Sequence, residues 1–304
     1  MERCIWIHQF SQLGERTAEH IAATLTARDI TRVYVKAMDG ADWMSNFYDH
    51  PLAPSNAAHL AQLVIEFSNH GLQLIPWVVN RFRADEADAH IACGTAAGAV
   101  VIDFEYLYGG FWQGSLGEAQ GYFDKLRAAA GNGLWVAVAP DPRQVGRDYQ
   151  RDLIRGLTAY LPQNYWTDFQ RPWQEVMENA AANVEPLGPT EPILPYNARR
   201  TDMEACIAWC EQRPYASVSL WRMGTANAAQ LDAFGTTPVV VEPRAEEQPI
   251  EAGINGVPQT YVDRGWDSWP AVAINLESII HELMDERDAA LAKLDAVERR
   301  VVTS

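Results

Sequence analysis

The sequence predicts an α/β chain folded as a (β/α)8 TIM barrel, and three observations predict it. Short apolar runs recur eight times, amphipathic stretches separate most of them, and no Gly-rich phosphate loop follows the first run. Strands that alternate with helices are joined by right-handed crossovers. Eight such units within residues 1–240 suit a closed barrel better than an open doubly wound sheet, the alternative that periodicity alone leaves open.

The runs, in order, are "CIWIHQF" (4–10), "RVYVKAMDG" (32–40), "LQLIPWVVN" (72–80), "GAVVIDFEY" (98–106), "GLWVAVAPDP" (133–142), "AYLPQNYW" (159–166), "EPILPYNA" (191–198) and "YASVSLWRMG" (215–224). A helical pattern over 17–28 follows the first. "NAAHLAQLVIEFSNHG" follows the second and ends on a Gly cap. Segment 167–190 is long but carries its own helical pattern before a Pro/Gly-rich exit.

Past residue 240 the composition changes. A Pro-, Glu- and Gly-containing run reads as a linker or extended arm, and a coiled-coil or amphipathic helix follows it. Leu276, Ile280, Leu283, Arg287, Ala290, Leu294, Val297 and Val301 recur at four-three spacing, with charges elsewhere. Residues 271–301 are therefore expected either to make a homo-oligomer or to fold back as a single amphipathic helix, and the domains are expected at 1–240 and 241–304.

Composition narrows the function. With 48% hydrophobic residues in 304, the chain buries a large core, and a formal charge of -16 repels phosphates. Nucleic acid and anionic membranes are thus poor partners and neutral substrates good ones. Four cysteines are too few for a disulfide scaffold. Cys206 and Cys210, four apart on a predicted helix, read as small buried hydrophobes. No apolar run reaches the roughly 18 residues that span a bilayer, so no membrane insertion is expected. The opening "MERCIWIHQF" lacks the apolar segment of a secretory signal. Synthesis in the cytoplasm is expected, with extracellular or cell-wall action needing a non-classical route.

A barrel of this type places its active site at the C-terminal ends of its strands, so the strand ends name the candidates. Lys36 and Asp39 close the second strand, Trp77 and Asn80 the third, Asp103, Glu105 and Tyr106 the fourth, and Asp141 the fifth. Gln163, Tyr165 and Trp166 follow from the sixth, Tyr196 and Asn197 from the seventh, Trp221 and Arg222 from the eighth; His8 and Gln9 add polar groups on the first. Asp103 and Glu105 stand out because residues i and i+2 share one face of a strand, and two like charges there have no packing purpose. Rings stack on sugar faces, amides match hydroxyls, and a carboxyl pair supplies acid and base, so the set fits cleavage of a glycosidic bond. No cofactor is called for. Histidines are too few for a transition-metal site, which leaves Mg²⁺ or Ca²⁺ between Asp103 and Glu105 as the metal alternative.

These motifs resemble two hydrolase families. "VVIDFEY" resembles the D-x-E-Y ending of the chitinase-like glycoside hydrolase family 18, and also the fourth-strand D-x-E of the peptidoglycan-cleaving family 25 lysozymes. "PQNYW" resembles the Gln and Tyr that line the sugar site of the chitinase-like barrels, and "SLWRMG" the Trp that ends the eighth strand in both groups. The resemblance implies an N-acetylhexosamine glycan as substrate, peptidoglycan or chitin-like. It also implies Glu105 as general acid, Asp103 as the group that orients the acetamido substituent, and Tyr165 as its hydrogen-bonding partner. Lys36, Trp77, Tyr106, Asp141, Gln163, Trp166, Tyr196 and Trp221 are the expected substrate-binding residues, with Asp141 the spare base and Lys36 a candidate counter-ion to the acids. Two departures stand beside the likeness. Family 18 carries further aspartates upstream on the same strand, where this chain has Ala99 and Val101, and family 25 an Asp on the first strand, where it has "WIHQF". A non-catalytic carbohydrate-binding or structural barrel within an assembly is therefore the alternative.

Overall fold

The computed structural model describes residues 1–14, 17–83, 85–105, 113–146 and 148–235. The arm and helix expected over 241–304 lie outside the described residues, as does Tyr106.

Eight parallel strands form the sheet: β1 (Glu2–Ile7), β2 (Ile30–Asp39), β3 (Gln73–Val79), β4 (Ala99–Phe104), β5 (Trp135–Pro140), β6 (Ala159–Tyr160), β7 (Ile193–Pro195) and β8 (Ser217–Met223). They pair in sequence order, and β8 returns to β1. The remaining junction closes through bridges Tyr160↔Thr190 and Gln163↔Ile193, with Ile193 N–H donating to Pro162 O at 2.9 Å and Asn164 N–H to Ile193 O at 2.9 Å. The ring is therefore closed, and the open sheet is excluded. A short strand, Asp42–Trp43, turns back antiparallel on the end of β2.

Helices lie between the strands: α1 (Ala18–Thr26), α2 (Ala57–Asn69), α3 (Glu86–Ala97), α4 (Leu116–Gly131), α5 (Pro142–Val145), α6 (Asp148–Ile154), α7 (Trp173–Asn183), α8 (Arg200–Glu211) and α9 (Ala228–Phe234). Their starts follow from capping chemistry. Thr17, Asn56 and Asn227 accept from the third backbone N–H of their helices, and Ser115 with Glu118 forms a capping box. Cys206 and Cys210 are both buried on α8.

Two strands are shorter than the sequence predicts. The sixth run, expected over 159–166, is regular only at Ala159–Tyr160, and the seventh, expected over 191–198, only at Ile193–Pro195. Pro162 and Pro192 lack the N–H that a ladder needs, so the two runs meet each other only through single bridges, while Ile193–Pro195 still pairs with β8 as a ladder. The first strand ends at Ile7, and Phe10 belongs to a 3-10 turn packed outside the barrel wall.

Strand alternation produces two cores. Outward residues such as Ile5, Val33, Val100 and Leu220 pack beneath the helices. Inward residues form a second cluster that includes Trp6, Tyr34, Trp77, Val101, Ala137, Ala139 and Ala159. The filling is uneven, because β1 to β3 supply bulky rings while β4 to β6 supply mostly alanines. At the opposite end from the strand termini, Glu191 accepts from Arg32 at 3.0 Å and Tyr34 at 3.2 Å, and also from Ser217.

Delivery of β4 depends on two glycines of the preceding helix. Gly98 caps α3 at φ +75°, where a side chain is strained. A Cβ at Gly94 would meet Val100 Cγ1 at 2.9 Å and Leu134 Cδ2 at 3.2 Å. Gly94→Ala is expected to cost about 1–3 kcal/mol through overpacking against β4, measured as a lower urea midpoint at unchanged slope.

Candidate active site

Asp103 and Glu105 leave the end of β4 on the inward face already occupied by Ala99 and Val101. In the ladder Asp103 stands opposite Val79 and Ala139. The small Ala139 leaves room that a larger residue would fill. A cavity of about 100 Å³ opens there, lined by Trp6, Trp77, Asp103, Glu105, Tyr165 and Trp221 among others. A wider cleft of about 340 Å³ adjoins it through Glu105, Gln163 and Tyr165, and reaches Asp141, Arg143 and Phe169. Glu105 lines both.

Hydrogen bonds hold Asp103 but not Glu105. Gln163 Nε2 donates to Asp103 Oδ1 at 2.9 Å and to Ala139 O at 2.9 Å. Asn80 Nδ2 donates to the Asp103 backbone carbonyl at 2.9 Å. No hydrogen bond or ion pair joins the Glu105 carboxyl to another described residue. Burial, followed by the negative charge of Glu105, raises the Asp103 carboxyl well above the usual carboxylate range. Burial and the charge of Asp141 raise Glu105. Two carboxyls in one poorly solvated place thus favour holding a proton. The Tyr165 phenol is also raised, by burial and then by the charges of Asp103 and Glu105, and stays protonated.

The neighbouring charges are already neutralised in pairs. Lys36 is not the counter-ion of the two acids: its Nζ lies 2.9 Å from Asp39 and 5.4 Å from the Trp77 ring centre. Arg81 binds the same Asp39 carboxylate. Burial pushes the Asp39 carboxyl up, but Lys36 and Arg81 outweigh it and hold the group below its usual range. Asp141 pairs with Arg143 at 2.6 Å and accepts the Arg143 backbone N–H at 2.9 Å as the cap of α5. It lines the cleft as half of an ion pair.

Aromatic residues form the floor. The Trp221 ring lies 5.6 Å from Trp77, 5.9 Å from Trp6 and 6.3 Å from Tyr165. Trp6 is anchored through Nε1 to Ser219 Oγ at 2.9 Å and Trp77 through Nε1 to Ile7 O at 3.1 Å. The Trp221–Arg222 peptide is cis.

Of the residues predicted from sequence, Asp103, Glu105, Tyr165, Gln163, Trp77 and Trp221 converge on the cavity, with Lys36 beside Trp77 and Asp141 in the adjoining cleft. Trp166 does not join them, because its ring is buried in the core beneath the helices. Tyr196 packs against that same outer core. Residues not singled out from sequence also line the site: Trp6, whose signal was its place two residues before His8 on the inward face, and Arg143, Asp168 and Phe169, whose loops carry no period.

No family model matches the chain, and no curated protein matches it. Solved structures do match in fold. A chitinase (RmChi1) from Rhizomucor miehei is 9% identical, with a TM-score of 0.51 over 77% of this chain and 99% of that one. The Bacillus cereus spore cortex-lytic enzyme SleL is 9% identical, with a TM-score of 0.51 over 77% of this chain and 73% of that one. The xylanase-α-amylase inhibitor protein XAIP-I, solved with trehalose, is 10% identical, with a TM-score of 0.53 over 77% and 97%. The likeness is one of fold, and the fold is the one expected from the strand pattern: a (β/α)8 TIM barrel. No described helix is long and apolar enough to cross a membrane.

A carboxyl raised on folding destabilises the native state once pH exceeds its unfolded value, because the unfolded chain releases the proton first. Asp103→Asn keeps an acceptor for Gln163 and removes that cost. It is expected to raise Tm by roughly 2–4 °C at pH 7, with the gain shrinking as pH falls toward the unfolded value of about 3.9 and gone by about pH 2–3, where both states are protonated. Calorimetry at the two pH values measures it.

Proposed function

We propose that the chain is a glycoside hydrolase acting on an N-acetylhexosamine-containing glycan, peptidoglycan or chitin-like. The observation that carries the reading is Glu105: a carboxyl without a hydrogen-bond or ion-pair partner among the described residues, its proton affinity raised by burial and by Asp141, that faces both the aromatic-floored cavity and the adjoining cleft. A sugar stacked on Trp221 in the cavity and a second sugar in the cleft bring their glycosidic oxygen to this group.

Glu105 donates its proton to that oxygen as the bond to the anomeric carbon breaks. The acetamido carbonyl oxygen of the cavity sugar closes onto the anomeric carbon, so no second protein carboxylate is needed as nucleophile. Asp103, held by Gln163, accepts the acetamido N–H, and the Tyr165 hydroxyl donates to its carbonyl oxygen. The Glu105 carboxylate then takes a proton from water as the water oxygen attacks the anomeric carbon and displaces the acetamido oxygen from it, which restores the acid and the acetamido group. Burial and the charge of Asp141 suit Glu105 to this role by keeping it protonated nearer neutral pH. The chitinase and the cortex-lytic enzyme that share the fold agree with a glycan substrate.

A second reading, a barrel that binds glycan without cutting it, is favoured by Ala99 and Val101. These two apolar residues occupy the inward positions where the family 18 pattern has aspartates, and XAIP-I has the same fold with an inhibitor's name.

Release of reducing ends from peptidoglycan and from chitin oligomers tests the choice. Turnover is expected to fall as pH rises through the raised Glu105 value, since the acid form is required, and Glu105→Gln is expected to lose at least roughly 100-fold. Equal release by Glu105→Gln defeats the hydrolase reading. Calorimetric binding with no release by the parent establishes the binding barrel.

A further inference from the structure

Around the mouth most charges are matched: Lys36 and Arg81 by Asp39, Arg143 by Asp141. Arg222 is the exception. It is half-buried at the end of β8, its guanidinium carbon lies 5.5 Å from the Trp221 ring centre, and no hydrogen bond or ion pair joins its side chain to another described residue. Burial lowers its affinity for its proton, and the groups that oppose this are the phenols of Tyr196 and Tyr165, with no carboxylate among them. A guanidinium withdrawn from water with no anion beside it is poorly compensated.

An independent observation falls on His8, the other polar group beside Trp221. The His8 ring, at the end of β1, lies 6.3 Å from the Trp221 ring and 6.0 Å from Trp77, and its Nδ1 is buried without a hydrogen-bond partner among the described residues. Strands β1 and β8 pair as neighbours, Ile7 opposite Met223, so the two unsatisfied groups flank one aromatic floor. Burial and the nearby Lys36 and Arg222 bring His8 down to about 4, so at neutral pH it is an uncharged hydrogen-bonding group. The carboxylates close by are already engaged, Asp39 as above and Asp168 with Asn197.

We infer that the β8–β1 side of the mouth is a subsite for a carboxylate carried by the bound glycan, on the sugar stacked on Trp221 or on its neighbour, paired with Arg222 and completed by a hydrogen bond to His8. The inference rests on the glycan reading above and deepens it: the substrate is an acidic N-acetylhexosamine glycan rather than a neutral one. A planar guanidinium receives a carboxylate through two parallel hydrogen bonds and leaves a neutral chitin oligomer nothing to place there.

The test is calorimetric titration of the full chain carrying Glu105→Gln, so that no turnover intervenes. Five probes are used: a chitin tetramer, a peptidoglycan-type tetramer with O-lactyl carboxylates, a tetramer alternating glucuronate with N-acetylglucosamine, and the carboxyl-reduced form of each of the two acidic tetramers. At least one acidic probe is expected to bind roughly tenfold tighter than its reduced form, with a preference that shrinks as salt is raised. Which probe shows it identifies where the carboxylate is carried. Adding Arg222→Gln is expected to abolish the preference, and Arg222→Lys to retain part of it. Equal binding of acidic and reduced probes by the Glu105→Gln chain overturns the subsite, whether or not the Arg222 variants fold. A preference that survives Arg222→Gln overturns its assignment to this arginine. If chitin binds and no acidic preference appears, the subsite fails while the glycan reading stands; if no probe binds, both fail.

Discussion

Closure of the ring is the constraint on which everything else in this barrel depends. Once β6 and β7 are joined by single bridges, the inward side chains of eight strands must fill one tapering interior, and their volumes decide where space remains. Trp6, Tyr34 and Trp77 fill one wall. Alanines 99, 137, 139 and 159 underfill the other. The only acids on the inward face of β4 stand at the top of that underfilled wall, so the same packing that stabilises the barrel also leaves a cavity beside Asp103 and Glu105.

That position sets the electrostatics. A carboxylate loses hydration in a small cavity walled by indole rings, and a second carboxylate two residues along adds repulsion. Elsewhere around the mouth the chain relieves such costs locally, with Lys36 and Arg81 sharing Asp39 and with Arg143 folded onto Asp141. Around Glu105 and Arg222 it does not. Neither the Glu105 carboxyl nor the Arg222 guanidinium has a hydrogen-bonded or ion-paired partner among the described residues, and the proposed glycan is the ligand that would supply both.

Much of this was legible in the residues. Eight short apolar runs separated by amphipathic stretches located the strands, and period-two alternation put Asp103 and Glu105 on one face before any coordinate was known. Errors fell where proline interrupts a ladder: the runs containing Pro162, Pro192 and Pro195 are as apolar as the others, yet they pair only briefly. Trp166 illustrates a different limit. It follows Tyr165 directly, beyond the regular part of β6, and adjacent residues there diverge, one ring entering the cavity and the other the outer core.

The sequence by itself determined the alternation of strands and helices, the order of the strands and the strand that presents the two acids, because strand period and strand order are properties of neighbours along the chain, whereas closure of the ring was decided by the bridges between β6 and β7. Only the tertiary structure decided which charges are spent and which are free. Lys36 reads as equally available to Asp39, Asp103 and Glu105, and the three-dimensional path of β2 and β3 gives it to Asp39 beside Arg81. Electrostatic partners are chosen by distance and exposure between residues dozens of positions apart, and neither quantity exists until the ring has closed.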